Sequence, residues 1–152
     1  MARTQAKKTI LLLGKNGQVG WELQRALAPF GQLIALDRVG QNGWCGDIGN
    51  LNGLRETIER IKPDVLVNAA GYTAVDQAQR EPELAARLNH QAPALMAELM
   101  KTHDGCLVHY STDYVFDGSG NQPWKETDSA GPLNVYGATK LAGEQAIQAS
   151  GC

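Results

Sequence analysis

Five residues in an almost wholly apolar run, Thr9-Ile10-Leu11-Leu12-Leu13, stop abruptly at Gly14. A run of this length bounded by a turn residue predicts a strand buried on both faces of a parallel sheet. The period then changes. From Gln18 to Phe30 the apolar residues Val19, Leu23, Ala26, Leu27 and Phe30 recur at helical spacing with Glu22 and Arg25 turned away, and Pro29-Phe30-Gly31 ends the segment. Gln32 to Leu36 reads as a second short strand that ends at Asp37.

The alternation continues along the chain. Asn50 is a suitable cap for a helix reaching Ile61, Lys62-Pro63 stops it, and Asp64 to Asn68 repeats the buried-strand pattern. Between them, Val39 to Asp47 is Gly-rich and has room for a short strand around Trp44-Cys45, which periodicity alone does not settle. Glu81-Pro82 opens a long helix carrying Leu84, Leu88, Ala92, Leu95, Met96 and Leu99. Pro93 lies inside it and predicts a kink near Asn89, because proline removes a donor and crowds the preceding turn. Cys106 to Ser111 would be the fifth strand, Thr112 to Gly131 a polar loop, and Pro132 to Ala149 the last helix. This β-α-β-α-β-α-β-α order predicts an α/β fold: a Rossmann-like, doubly wound parallel sheet with helices on both faces and ligands at the carboxyl ends of the strands.

Composition narrows the function. The 152 residues are 43% hydrophobic and 20% charged, as expected of one globular domain. Fourteen basic against 16 acidic side chains, net charge −2, argue against a nucleic-acid partner. No stretch approaches a membrane span, and residues 1–8 have no hydrophobic segment of a leader, so no membrane partner and a cytoplasmic location are expected. Residues 1–8 read as a flexible basic tail with Arg3, Lys7 and Lys8 solvated, and 9–152 as the folded domain. Cys45, Cys106 and Cys152 suggest neither disulfides nor zinc, and Cys45 and Cys106 read as small buried hydrophobes. His90, His103 and His109 lack metal-ligand spacing, so no metal is expected and a surface or satisfied strand histidine is the simpler reading. Trp21, Trp44 and Trp124 are too scattered for a stacking platform.

Chemistry gathers at the strand ends. Gly14-Lys15-Asn16-Gly17-Gln18-Val19-Gly20 follows the first strand and opens the first helix. In that context the glycines permit a tight turn and close approach of a pyrophosphate to backbone N–H groups at the positive helix end. A Walker loop is excluded, since no Lys-Ser or Lys-Thr follows at the required spacing. Asp37 stands where an acid can bind the adenosine ribose of NAD, whereas Arg38 beside it can pair with the 2′-phosphate of NADP, so the preference stays open. The second constellation is Ser111-Thr112-Asp113 with Tyr136 and Lys140 on the last helix. Residues four apart share a helical face, and a nearby ammonium lowers a phenol pKa, making Tyr136 a usable proton donor to a carbonyl.

These residues resemble the extended short-chain dehydrogenase/reductases, and within them the dTDP-4-dehydrorhamnose reductase branch. The matching stretches begin at Gly14-Lys15-Asn16-Gly17-Gln18-Val19-Gly20-Trp21-Glu22-Leu23-Gln24 and Asn68-Ala69-Ala70-Gly71-Tyr72-Thr73-Ala74-Val75-Asp76. They continue with His109-Tyr110-Ser111-Thr112-Asp113-Tyr114-Val115-Phe116 and the run from Pro132 to Glu144. The resemblance implies Tyr136 as general acid, Lys140 on the nicotinamide ribose and the tyrosine, and Thr112 on the substrate carbonyl. It also implies Gly14, Gly17, Gln18, Val19 and Gly20 around the pyrophosphate, Asp37 or Arg38 at the adenosine ribose, and Asp47 and Ile48 at the adenine. Ala69, Ala70, Gly71, Tyr72, Thr73 and Tyr110 would line the inner cofactor channel. Asp113 would neighbour the sugar, and Asn89 would support Lys140 through water. The implied reaction is NADPH- or NADH-dependent reduction of the 4-keto group of dTDP-4-dehydro-β-L-rhamnose to dTDP-L-rhamnose, a sugar donor for cell-surface polysaccharide, with a homodimer allowed.

Members of that branch are about twice this long and build their substrate lobe from the second half. The expectation is therefore a fragment, or a truncated and inactive product, with the strand from Cys106 left as an apolar sheet edge. Two other readings stay open: a regulatory subunit that binds NADP without catalysis, and a sugar-nucleotide epimerase or dehydratase. The last is weakened because no Glu follows Asp113.

Overall fold

The computed structural model describes residues 7–152. Most of the expected basic tail, including Arg3, lies outside the described residues. Lys7 and Lys8 are exposed, but the Lys8 carbonyl accepts a hydrogen bond from the Gln32 N–H at 2.8 Å, so Lys8 is tied to the fold rather than frayed.

Strand β1 (Thr9–Leu13) is the apolar run, and its position explains its composition. The sheet order is β2 (Gln32–Leu36), β1, β3 (Val65–Asn68), β4 (Cys106–His109), all parallel. A strand next to the middle of a covered sheet has no solvent face, and Leu11, Leu12 and Leu13 are fully buried. Leu11 and Leu13 join Leu36, Leu66, Met96 and Met100 beneath helices α2 (Leu51–Ile61) and α5 (Ala92–Thr102). Ile10, Leu12 and Val67 form the opposite layer with Leu23 and Leu27 of α1 (Gln18–Leu27).

Local chemistry sets the helix boundaries. The Asn50 side chain accepts from the Gly53 N–H at 3.0 Å at the start of α2, and Lys62, in the left-handed region at φ 47, closes it on the Ile58 carbonyl. The long helix forms as one path with an expanded middle: α4 (Pro82–Ala86), a π-helical turn over Arg87–Gln91, then α5, after the one-turn α3 (Val75–Ala78). The expected disturbance near Asn89 therefore takes the form of a π turn, in which the residue four before Pro93 is freed from pairing with a missing N–H.

Several boundaries differ from the sequence expectation. The first helix ends at Leu27, and a 3-10 turn over Ala28–Phe30 leaves Phe30 73% exposed. No strand forms at Trp44-Cys45; a single antiparallel bridge, Gln41 to Trp44, closes a turn whose Gly40 and Gly43 both have φ 77. The described residues therefore form a four-stranded sheet, as the β-α-β-α-β-α-β-α order predicts without that optional strand. Strand β4 stops at His109, so Tyr110 and Ser111 belong to the loop. Helix α6 (Val135–Ser150) starts late because the Asn134 side chain caps it on the Gly137 N–H at 2.8 Å. Cys45 is half-buried but Cys106 is exposed. Cys106 pairs with Val65 at the sheet edge, and α1 packs over β1 and β2 without reaching β4. No helix of the described residues is long and apolar enough to cross a membrane.

Candidate cofactor and catalytic site

The glycine turn joins β1 to α1 by folding back over β2: the N–H groups of Gly14 and Lys15 both donate to the Leu36 carbonyl, at 2.9 and 3.2 Å. Its three motif glycines do different work. Gly14 has φ +88, and a Cβ there would lie 2.8 Å from the backbone of Ala69 and Ala70. A Cβ on Gly20 would lie 2.1 Å from the Gly14 carbonyl oxygen. Both are demanded by the fold itself. Gly17, the N-cap of α1, has space: its nearest neighbour is the Gly14 oxygen at 3.5 Å. Packing leaves room for a side chain at Gly17, and its bare surface faces a cavity at the helix N-terminus, as a bound pyrophosphate requires.

That cavity, about 620 Å³, is lined by Gly14, Asn16 and Gly17, by Asp37 and Arg38 after β2, and by Asp47 and Ile48. Its far wall is Ala70, Gly71 and Tyr72 with Leu84, Arg87 and Leu88. Burial alone would raise the Asp37 carboxyl, but Asn16 donates to it at 2.8 Å and Lys15 stands 3.7 Å away. With the N–H groups of Val39 and Gly40 also donating, the carboxyl is held below its ordinary range, anionic and oriented. Asp37 and Arg38 both line the cavity, so an acid and a base stand side by side at its β2 end.

A second cavity, about 160 Å³, holds Val19, Asn68, Ala69, Thr73, Asn89, Tyr110, Ser111, Tyr136 and Lys140. Ala70, Gly71 and Tyr72 line both cavities, so a dinucleotide extended past this shared wall would run from Asp37 to Tyr136. The Tyr72 backbone is held by Asn89, and its hydroxyl donates to Glu81, which together with burial pushes the phenol up to about 12. Tyr136 meets Tyr114 edge to face, ring centroids 5.6 Å apart. Lys140 is 6% exposed; its ammonium donates to the Tyr110 carbonyl and lies 3.4 Å from His109 Nε2. Among the described residues its hydrogen bond goes to the Tyr110 carbonyl and not to Tyr136, a more specific placement than helical spacing alone predicts. Burial holds its pKa below the usual range, opposed by the charge of Glu144.

Not every expected residue joins the site. Gln18 is exposed and lines neither cavity, and Gly20 serves packing. The Thr112 hydroxyl accepts from the Tyr114 N–H and donates to Asp113, both at 3.3 Å, outside the Tyr136 cavity. Asp113 lines a separate hollow with Tyr114, Phe116 and Trp124. Asn89 does line the Tyr136 cavity, and its direct hydrogen bonds go to Tyr72 and Thr139. Sequence reasoning also missed Asn16 and Lys15 as supports of Asp37, Arg87 on the cavity wall, and Asn68 with His109. The last two carried a readable signal, a polar residue closing an apolar strand. His109 ends β4 with its Nδ1 3.1 Å from Asn68 Nδ2. No group of three or more His, Cys, Asp and Glu among the described residues is placed to hold a metal ion.

A family model described as the RmlD substrate binding domain matches residues 8–152. The chain belongs to that family. It is 58% identical over 139 residues to a dTDP-4-dehydrorhamnose reductase of Salmonella typhimurium, covering 91% of this chain and 46% of that protein. The corresponding protein of Burkholderia thailandensis is 48% identical, covering 93% and 46%. Among solved structures, a dTDP-4-dehydrorhamnose reductase from Bacillus anthracis in complex with NADP matches at TM-score 0.85 and 32% identity, over 94% of this chain and 50% of that one. The chain spans about half the length of the curated relatives it matches.

Proposed function

We propose that this family member carries the cofactor site and acid/base residues of an NAD(P)H-dependent reductase acting on the 4-keto group of a dTDP-linked 6-deoxyhexose, giving dTDP-L-rhamnose. The observation that carries the reading is the wall Ala70-Gly71-Tyr72 shared by the two cavities, which joins a glycine turn open at Gly17 to a tyrosine and a buried lysine. A bound nicotinamide would supply hydride. The residues of this chain hold it: Gly17 and the α1 N-terminus accept the pyrophosphate, and Asp37 or Arg38 the adenosine ribose. Tyr136 donates the proton that the reduced carbonyl oxygen takes up, with the Lys140 charge favouring release of that proton. Thr112 would hold the substrate carbonyl and Asp113 neighbour the sugar once the loop beyond β4 turns toward Tyr136, from which both stand apart in this structure. The setting is the cytoplasm, with no membrane or nucleic-acid partner, in keeping with the acidic balance of the chain.

Energy transfer from tryptophan to NADPH tests the cofactor part, and NADPH oxidation on adding the dTDP-4-keto sugar tests the chemistry. Saturable micromolar binding with oxidation that disappears in Tyr136→Phe is the expected result. Binding without oxidation would favour a nucleotide-binding regulatory role instead. Absence of binding by a folded chain would overturn the cofactor assignment.

A further inference from the structure

His109 stands with its Nε2 3.4 Å from the Lys140 ammonium, and the chemistry proposed above leaves it unused. It ends β4 directly across from Asn68, the last residue of β3. Asn68 is 1% exposed, and the adjoining turn orients its amide: Oδ1 accepts from the Ala70 N–H at 3.1 Å, which leaves Nδ2 to donate to His109 Nδ1 at 3.1 Å. A neutral imidazole has one donor and one acceptor nitrogen, so Nδ1 as acceptor puts the proton on Nε2. Nε2 lies 3.4 Å from the Lys140 Nζ, and Nζ donates to the Tyr110 carbonyl.

An ammonium offers donors only, so it gains no hydrogen bond from an Nε2–H that faces it. A second proton on the imidazole would set two positive charges 3.4 Å apart in a site shielded from water, where such repulsion is poorly screened. Burial first, and then the Lys140 charge, hold the imidazole down at about 4. The carboxylate nearest Lys140 on its own helix, Glu144, accepts from the Ser111 hydroxyl. On α5, Glu98 faces Arg55 and Lys101 donates to the Gly151 carbonyl, so neither neutralises the pocket. Among the described residues the titratable groups that line the cavity with Lys140 are Tyr72, Tyr110 and Tyr136, and the Tyr72 hydroxyl is taken up by Glu81.

We propose that His109 is a positioning residue for Lys140: pinned by Asn68 in its Nε2–H form, it keeps a single positive charge in the pocket and leaves the Tyr110 carbonyl as the ammonium's anchor. Protonation of His109 and of Lys140 is therefore negatively coupled. The consequence for Tyr136 rests on the reductase reading; the coupling itself does not.

Nitrogen-15 and carbon-13 NMR of this chain, with the His109 signals assigned through His109→Phe, tests the proposal without nucleotide. The expected result is an Nε2–H tautomer at neutral pH and a titration midpoint more than about one pH unit below an ordinary histidine. In Lys140→Met that midpoint rises, and Asn68→Ala admits the Nδ1–H tautomer. An Nδ1–H tautomer in the unmodified chain, an ordinary midpoint, or a midpoint indifferent to Lys140→Met would each overturn the proposal. Should a variant fail to fold, the tautomer and midpoint of the unmodified chain still decide. An ordinary His109 leaves the reductase reading standing, whereas failure to bind NADPH removes that reading and leaves the coupling.

Discussion

Asn89 treats the backbone of Tyr72 as a strand partner: its Oδ1 accepts from the Tyr72 N–H at 2.8 Å and its Nδ2 donates to the Tyr72 carbonyl at 3.0 Å. The same Nδ2 reaches the Thr139 hydroxyl at 3.3 Å, so one buried amide ties the π turn, the wall between the cavities and α6 together.

Replacing Asn89 with Ala strands both backbone groups of Tyr72 away from an accessible partner. A loss of about 2–4 kcal/mol of stability is expected, since each unsatisfied buried group costs roughly 1–3 kcal/mol. Urea unfolding of the variant measures it, and a change below about 0.5 kcal/mol would mean that water replaces the amide freely.

The motif glycines should separate fold from function. Gly17→Val is expected to leave the circular dichroism and melting temperature near those of the parent while abolishing NADPH binding, because space exists until a pyrophosphate needs it. Gly20→Ala, with its Cβ 2.1 Å from the Gly14 oxygen, is expected to destabilise the chain itself. Retained affinity in folded Gly17→Val would place the phosphates elsewhere.

Cofactor choice turns on two adjacent side chains. Arg38→Ala is expected to weaken NADPH binding by about tenfold with little effect on NADH, the size of one lost charge-assisted hydrogen bond. Asp37→Ala should weaken NADH more than NADPH. Parallel titrations check both, and equal losses for the two cofactors would show that neither side chain reads the 2′ position.

Low pH should loosen the fold through His109. Its native pKa of about 4 lies below the ordinary 6.5, so between these values the unfolded chain binds a proton that the folded one refuses. The stability is full above about 6.5 and falls as pH drops toward and through 4, on the order of 2 kcal/mol. Melting temperatures from pH 7 to pH 4 follow it, and His109→Gln should flatten the slope.

Strand β4 leaves Val108 40% exposed on the outermost strand of the sheet, beside exposed Cys106. An uncovered apolar edge invites pairing with another edge. Concentration-dependent association in sedimentation or light scattering is expected, and Val108→Lys should reduce it.

How much of this was legible from the chain depends on the range of the force concerned. Buried runs such as Ile10 to Leu13 and Leu66 to Asn68, the glycine turn, the Asn50 cap and the disturbance around Pro93 are local: neighbours within one turn or one strand dictate them, and their spacing is visible in the sequence. Tyr136 and Lys140 are legible for the same reason, being one helical turn apart. Sheet register is not local. It sets His109 across from Asn68, 41 residues away, and so places an imidazole beside Lys140 that no periodicity announces. The exposure of Cys106 follows from which strand lies at the edge and how far α1 reaches, and the turning of Thr112 toward Asp113 from a 3-10 turn over Asp113–Val115 that polar composition alone does not specify. The sequence by itself determined the elements and the chemical types at their ends; the tertiary structure decided which of those ends meet, because only closure of the sheet brings distant polar groups within hydrogen-bond reach and takes the water away from them.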